Sequence, residues 1–393
     1  MTNFNLLSAT VDRRILFGIA GGIAAYKACA AISALAKSGI QVRGIMTSGA
    51  VEFITPLTVS TLCRHPAYVD ADFWRGDRGK PLHIDLAEWA EVMVIAPLTA
   101  NTLAKLAWGM ADNLLTNVVL ASTCPVLLAP AMNTHMWQQQ TTQRNWQQVL
   151  SDPRYHALAP TAGVLACDTV GTGRMAEPED IVTHLHSLLL RQGDRDWDGK
   201  RVLISAGGTR EHLDPVRCIG NPATGKMGVA LAQAAHHRGA DVTLVCGVME
   251  VPAPAYVRAI HVTSAAQMHA ALLAQLPEAD VIFMAAAVGD VRPSKYSSIK
   301  LPKQSLGNTL PLEPVPDILA DLAERKQPHQ RSIGFAAQTG DIIPPALDKL
   351  QRKHLDAIAA NPIDLPDAGF GADTNQAVWL SAVGDRVDIP LCS

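Results

Sequence analysis

Three stretches of this 393-residue chain place glycine and small polar residues where a backbone can approach an anion. Gly21-Gly22 closes the apolar run Ile15-Leu16-Phe17-Gly18-Ile19-Ala20, and Gly207-Gly208-Thr209 closes Val202-Leu203-Ile204-Ser205-Ala206. Asn221-Pro222-Ala223-Thr224-Gly225-Lys226-Met227-Gly228 runs into an apolar helix predicted over 229–235. A glycine turn entering a helix directs backbone N–H groups and the positive end of the helix dipole at phosphate. Tight strand–helix packing selects glycine too, so the turns alone admit both readings. Thr47-Ser48 follows a second apolar run, and Thr99, Asn101 and Thr102 follow a third. Their hydroxyl and amide groups suit a phosphate and the polar edge of a flavin ring, while Thr99 or Asn101 would serve equally well as a helix N-cap.

The Asn221–Gly228 stretch is not a Walker A loop, because its spacing differs and no Ser or Thr follows Lys226. Neither half carries Gly-x-Gly-x-x-Gly. The second apolar run of each half ends in Met46-Thr47 or Val245-Cys246, where a nicotinamide-binding domain places Asp or Glu on the ribose. The pattern favours a mononucleotide, either flavin mononucleotide (FMN) or a nucleoside triphosphate. Three residues stand apart from the turns. His83 lies in Pro81-Leu82-His83-Ile84-Asp85-Leu86, an apolar setting with an acidic neighbour; Asn133 ends Ala129-Pro130-Ala131-Met132-Asn133; Cys167 precedes Gly171-Thr172-Gly173-Arg174-Met175. Singly, each has an ordinary explanation: one histidine among 13, a turn-forming asparagine, a packed free thiol.

The elements that must position these residues come twice. Arg13-Arg14 followed by an apolar run and Gly21-Gly22 is echoed by Lys200-Arg201, an apolar run and Gly207-Gly208. Leu35-Ala36-Lys37-Ser38-Gly39-Ile40-Gln41-Val42 is echoed by Ala235-His236-His237-Arg238-Gly239-Ala240-Asp241-Val242, in each case a helix stopped by glycine before a second strand. Continuous apolar strands alternating with helices imply parallel sheets covered on both faces. The fold class expected is α/β, two doubly wound domains, the first flavodoxin-like and the second Rossmann-like, with ligands at the carboxyl ends of the strands. The expected boundaries are a first domain over 1–190, a charged glycine-containing linker over 191–199 and a second domain over 200–393.

Composition narrows the function classes. Apolar residues make up 48% and charged residues 18%, with a net charge of −3, which fits a buried-core enzyme and gives no basic surface for nucleic acid. Seven scattered cysteines without a Cys-x-x-Cys pair match a reducing compartment. Residues 1–14 lack an apolar signal-peptide core, and the most apolar window, 92–111, contains Asn101 and Lys105. A cytoplasmic protein with no membrane partner is expected.

Taken together, the motifs resemble a known family over essentially the whole chain. Gly18 through Lys27, His83-Ile84-Asp85-Leu86, Pro130-Ala131-Met132-Asn133 and Ala166-Cys167-Asp168 with Gly173-Arg174-Met175 look like the flavin-dependent cysteine decarboxylases. The second half looks like phosphopantothenate–cysteine ligase, and the order matches the bifunctional coenzyme A biosynthesis family. The resemblance implies FMN at Gly21, Gly22, Thr47, Ser48, Thr99, Asn101 and Thr102. It further implies His83 as the base of a thiol oxidation, Asn133 holding the substrate carboxylate beside Met132, Arg174 and Met175, and Cys167 as a proton donor on a flap. Oxidation to a thioaldehyde supplies the electron sink that lets CO₂ leave, and the ene-thiol is then reduced.

For the second half the resemblance implies an acyl-cytidylate made from 4'-phosphopantothenate and CTP with Mg²⁺, whose ligands stay unassigned, and then attacked by cysteine. Asn221 and Lys300 would act in its conversion and formation, and Arg217 would contact substrate. The nucleotide would meet Gly207, Gly208, Thr209, Met284, Ala285, Ala286, Asp290, Lys300, Pro316, Asp317, Ile318, Leu319, Phe335, Lys349 and Lys353. For Lys349 and Lys353 the plainer alternative is a solvated helix face. Trimeric first domains and dimeric second domains are implied for a homo-oligomer. Ala20, Pro222-Ala223-Thr224, Lys300-Leu301-Pro302-Lys303 and Gln338 depart from the family's usual residues. Competing readings are a non-catalytic binding protein, a nicotinamide oxidoreductase, and a decarboxylase of peptide C-terminal cysteines.

Overall fold

The computed structural model describes residues 13–76, 79–166, 168–305, 309–365, 369 and 371–392. The chain divides into two compact units, Met1–Asp194 and Arg195–Ser393.

In the first unit, β1 (Arg14–Ile19), β2 (Gln41–Met46), β3 (Ala67–Val69), β4 (Val92–Leu98), β5 (Val126–Pro130) and β6 (Tyr155–Ala157) form one sheet. Its order is β3-β2-β1-β4-β5-β6 and every pair is parallel. The strands are apolar on both faces because helices cover both, and β4 is buried along all of its length. The chain starts at β1, works to one edge and returns to β4, so the turns after β1 and β4 part at the switch point where such sheets bind ligands. Helix Ala25–Lys37 stops at Gly39, whose φ of +90° is the left-handed conformation the sequence expects there. Beyond β6, β7 (Thr161–Val164) and β8 (Val170–Arg174) pair as an antiparallel ribbon outside the main sheet.

The second unit repeats the plan. β9 (Arg201–Ala206), β10 (Asp241–Cys246), β11 (Arg258–His261), β12 (Val281–Met284), β13 (Arg331–Gln338) and β14 (Ala357–Pro362) are parallel, and β15 (Asn375–Ser381) and β16 (Arg386–Cys392) add an antiparallel edge. The order β11-β10-β9-β12-β13-β14-β15-β16 has the same third-second-first-fourth-fifth-sixth arrangement in its parallel part. Alternate residues of β9 face opposite layers: Val202 and Ile204 pack with Ala232 and Val242, Leu203 with Met268 and Leu272. The run expected to link the domains is partly packed. Trp197 donates its amide to Arg238 O at 2.9 Å, lies under the Arg238 guanidinium at 4.1 Å and stacks on Phe283, so it joins the second core. Among the described residues no helix is long and apolar enough to cross a membrane.

Candidate functional site

In the first unit the turns after β1, β2, β4 and β5 surround a cavity of about 1070 Å³. The turn after β1 sits hard against the turn after β2: a Cβ on Gly21 would come within 2.6 Å of the Gly49 backbone. Glycine is required there by the close approach of two segments of the chain. Thr47 caps the short helix Ser48–Val51, and Ser48 donates its amide to Asp70 at 3.2 Å while Asp70 also takes the Leu114 amide at 3.0 Å. Thr99 is the N-cap of helix Ala100–Trp108, accepting from the Thr102 amide at 3.3 Å. The capping reading is therefore correct for Thr99, and the residue lines the cavity as well. All seven residues expected around a flavin, Gly21, Gly22, Thr47, Ser48, Thr99, Asn101 and Thr102, are on its wall.

So are Met132, Asn133, Arg174 and Met175. Asn133 caps helix Thr134–Gln138, and its Oδ1 accepts from the His135 amide at 2.8 Å. That bond assigns the oxygen end of the carboxamide and makes Nδ2 its donor end. The β7–β8 ribbon lies flush on this segment: Met132 donates its amide to Gly173 O at 3.0 Å, and a Cβ on Gly173 would stand 2.2 Å from Met132 O. A Cβ on Gly171 would stand 2.4 Å from Thr134 Oγ1. The two glycines of Gly171-Thr172-Gly173 thus let the ribbon pack without a gap. Its tip closes through Leu165 N–H to Thr169 O and Asp168 N–H to Leu165 O, and Val164, Leu165 and Ala166 line the cavity. Cys167 lies outside the described residues.

His83 is different. It stands in helix Leu82–Trp89 with its ring edge-on to Phe73 at 5.3 Å, its Nδ1 buried without a hydrogen-bond partner, and it is not among the cavity-lining residues of its own chain. Its expected acidic neighbour, Asp85, faces Arg43 at 3.9 Å. Sequence reasoning missed two cations on the wall. Lys27 donates to both Glu177 oxygens at 2.9 Å, and Arg174 joins the same carboxylate at 3.0 Å; Lys105 donates to both oxygens of Asp112 at 2.8 Å. The signal for Lys27 was its place in the first turn of the helix that follows Gly21-Gly22.

The second unit brings its residues together by bonding them to one another. Gly207 has φ +77° and accepts from the Ala287 amide at 2.8 Å, buried Thr209 accepts from the Gly289 amide at 3.0 Å, and Ser205 accepts from the Ala286 amide at 3.2 Å. Asn221 donates from Nδ2 to Val288 O at 3.2 Å. The turns after β9 and β12 are thereby knit into one surface, with Gly208, Thr209 and Asn221 around a small cavity of about 120 Å³. Asp290 O accepts from the Val315 amide at 3.0 Å, which draws in Pro316 and Asp317; Asp317 caps helix Ile318–Arg325 and pairs with Lys353. Lys349 donates to Phe335 O at 2.7 Å. Burial, with the Arg352 charge, lowers its pKa, against the pull of Asp290. Both lysines therefore point inward, and the solvated-face alternative is overturned: Lys353 is only 8% exposed. Met284 and Ile318 are buried in the core, and Leu319 is partly buried against it. Arg217 donates to Leu301 O at 3.1 Å beside exposed Lys300. Among the described residues no group of three His, Cys, Asp or Glu is arranged to hold a metal.

Residues 5–190 match the family described as Flavoprotein, and residues 197–393 match that described as DNA/pantothenate metabolism flavoprotein C-terminal domain. The coenzyme A biosynthesis bifunctional protein CoaBC of Bacillus subtilis (strain 168) is 43% identical over 383 residues, 97% of this chain and 94% of its own. A cysteine/cysteine sulfinic acid decarboxylase from an unknown prokaryotic organism is 42% identical over 82% of this chain and 90% of its own. The solved C-terminal domain of a CoaBC covers 50% of this chain and 88% of that one, with 36% identity and a TM-score of 0.42. With both halves matched in order and the identity running nearly end to end, the chain belongs to the family of bifunctional coenzyme A biosynthesis proteins, CoaBC.

Proposed function

We propose that the first unit binds FMN and decarboxylates phosphopantothenoylcysteine, and that the second makes that compound from 4'-phosphopantothenate, cysteine and CTP. Coenzyme A biosynthesis by a flavoprotein decarboxylase joined to a ligase is the activity of the family. The observation that carries the finer reading is the shared cavity: every residue expected to touch a flavin and the four described residues expected to touch the substrate meet on one wall.

FMN fits that wall, whose glycine cradle and capped helix starts supply N–H groups to a phosphate. When bound, it would supply the two-electron oxidation of the sulfur-bearing carbon, whose C=S then takes the electrons released with CO₂, and the later reduction that restores the thiol. The chain's own residues do the rest. Asn133 offers its Nδ2 donors to the departing carboxylate, Met132 and Met175 pack the cysteinyl arm, the ribbon excludes water, and Cys167 is the proton donor. His83 is the base. Because it stands off its own chain's cavity, a second copy in a trimer of first units is the source we assign for it.

In the second unit the phosphopantothenate carboxylate attacks the α-phosphorus of CTP and pyrophosphate leaves. The cysteine amine then attacks the acyl carbon and releases CMP. Lys300 stabilises charge in the first step, Asn221 serves the second, and Arg217 holds substrate. The remaining nucleotide contacts are Gly207, Gly208, Thr209, Ala285, Ala286, Asp290, Pro316, Asp317, Phe335, Lys349 and Lys353. Mg²⁺ enters with the triphosphate, since such ions need only one or two carboxylates besides phosphate and water. Six free thiols among the described residues suit the cytoplasm.

Incubating the purified chain with phosphopantothenate, cysteine, CTP and Mg²⁺, and weighing the products by mass spectrometry, tests the whole reading. 4'-Phosphopantetheine, CMP, pyrophosphate and CO₂ are expected. CO₂ from free cysteine with none from phosphopantothenoylcysteine would reassign the first unit.

A further inference from the structure

Beside the ligase residues stands a carboxylate with no assigned part in the reaction. Asp214 is 0% exposed. Its Oδ1 accepts the Val216 and Arg217 amides, each at 2.8 Å, closing an Asx turn. Its Oδ2 accepts the Leu301 amide at 3.2 Å and faces Arg217 Nη1 at 3.6 Å. Arg217 Nη2 completes the ring by donating to Leu301 O. Leu301 is therefore gripped at both its N–H and its C=O, and a bond from the Ser297 amide to Leu213 O at 2.9 Å ties the same loop to the same turn. Burying a carboxylate is costly unless donors compensate it. Here burial opposes the charge, yet three amides and a guanidinium outweigh it and hold Asp214 below the ordinary carboxylate range.

A turn that needed only an Asx cap would be served by a surface asparagine or serine. A sequestered anion bonded across 87 positions to the peptide next to Lys300 is a different construction. Lysine has a long flexible stem, so where its ammonium spends its time depends on how firmly its backbone is held.

We propose that Asp214 is a positioning residue for the ligase reaction: it locks Arg217 and the Leu301 peptide into one unit, so that Lys300 reaches the activating phosphate from an anchored root. The proposal rests on the reading that Lys300 assists acyl-nucleotide formation.

The test follows pyrophosphate release by the full-length chain, with CO₂ release from phosphopantothenoylcysteine as the internal reference. Asp214→Asn puts an amide donor where Leu301 N–H must donate. Asp214→Ser keeps an oxygen for Val216 and Arg217 but cannot reach Leu301, so it preserves the turn if the first variant misfolds. Either should lower kcat for pyrophosphate release roughly 100-fold, the scale of a misplaced catalytic group, with the KM for CTP little changed and CO₂ release intact. Combining Asp214→Ser with Lys300→Gln separates positioning from mere stability. If Asp214 acts through Lys300, the double variant is no slower than Lys300→Gln alone. Losses that multiply, or a wild-type rate in Asp214→Ser while Lys300→Gln is slow, would overturn the proposal. A wild-type rate in Lys300→Gln would instead sink the underlying role of Lys300.

Discussion

The two units share a strand order and differ in what their post-strand turns do. In the first, the turns after β1, β2, β4 and β5 stand around open space of about 1070 Å³, with Thr47 and Thr99 capping helices on its wall. In the second, the equivalent turns bond to each other, Gly207 to Ala287, Thr209 to Gly289, Asn221 to Val288, around about 120 Å³. One strand order thus carries two kinds of turn cluster, one around a large hollow and one around a small cavity. The difference lies in the loops, since the six parallel strands of each sheet share one order.

The sharpest way to break this comparison is to silence one unit and watch the other. Asn133→Asp sets a charge against the substrate carboxylate, and CO₂ release should fall on the order of 10³-fold while pyrophosphate release is unchanged. Equal loss of both would show that the sites are not separate. The reciprocal change, Lys300→Gln, should cut pyrophosphate release on the order of 10²-fold and spare decarboxylation of added phosphopantothenoylcysteine. Cys167→Ser should still release CO₂ but stop at the ene-thiol, read as a product lighter by two hydrogens; full yield of phosphopantetheine would remove Cys167 from the mechanism.

Smaller effects sharpen the structural side. Gly173→Ala drives a methyl at Met132 O and should destabilise the first unit by about 1–3 kcal/mol, seen as a lower Tm and reduced retention of flavin. A Tm equal to that of the parent would mean the ribbon is not packed on Met132. The smallest expected difference is in acid. In the second unit Asp321 is held low by its bond to Arg325, Asp373 by its bond to Lys226, and Asp214 and Asp356 by amide and cation donors that outweigh burial. Carboxylates depressed on folding contribute stability above their unfolded pKa of about 4 and lose it as pH falls through the lower folded value. In the first unit Asp112 is likewise lowered by Lys105, but burial and then Glu179 and Glu177 push Asp180 up, which works in the opposite sense. Calorimetry from pH 7 to about 3 should therefore show the second unit's transition falling faster below about pH 4. Parallel decline of both transitions would remove that asymmetry.

Much of the cavity was legible because its residues sit where chain direction changes. Gly21 and Gly22 follow β1, Thr47 follows β2, Thr99 caps the helix after β4, and Asn133 follows β5. In a parallel sheet all these ends fall on one side, so local sequence signals converge without any knowledge of distance. His83 was not placed so readily, because a histidine in a short helix says nothing about which cavity its face will meet. For Lys349 and Lys353 the spacing left a solvated helix face open beside nucleotide contact, and only their bonds to Phe335 and Asp317 show that the stems run inward.

Apolar runs, glycine stops and capping residues by themselves determined two doubly wound units and the end of each sheet at which the candidate site residues gather, because backbone periodicity and turn chemistry act over a few residues. Tertiary structure alone decided which charges are satisfied internally: Lys27 with Glu177, Lys353 with Asp317, and Asp214 with the peptide beside Lys300. Those pairs join positions far apart in the chain. Their energetics depend on burial and donor count at the meeting point, quantities that exist only once the sheet has brought the loops together.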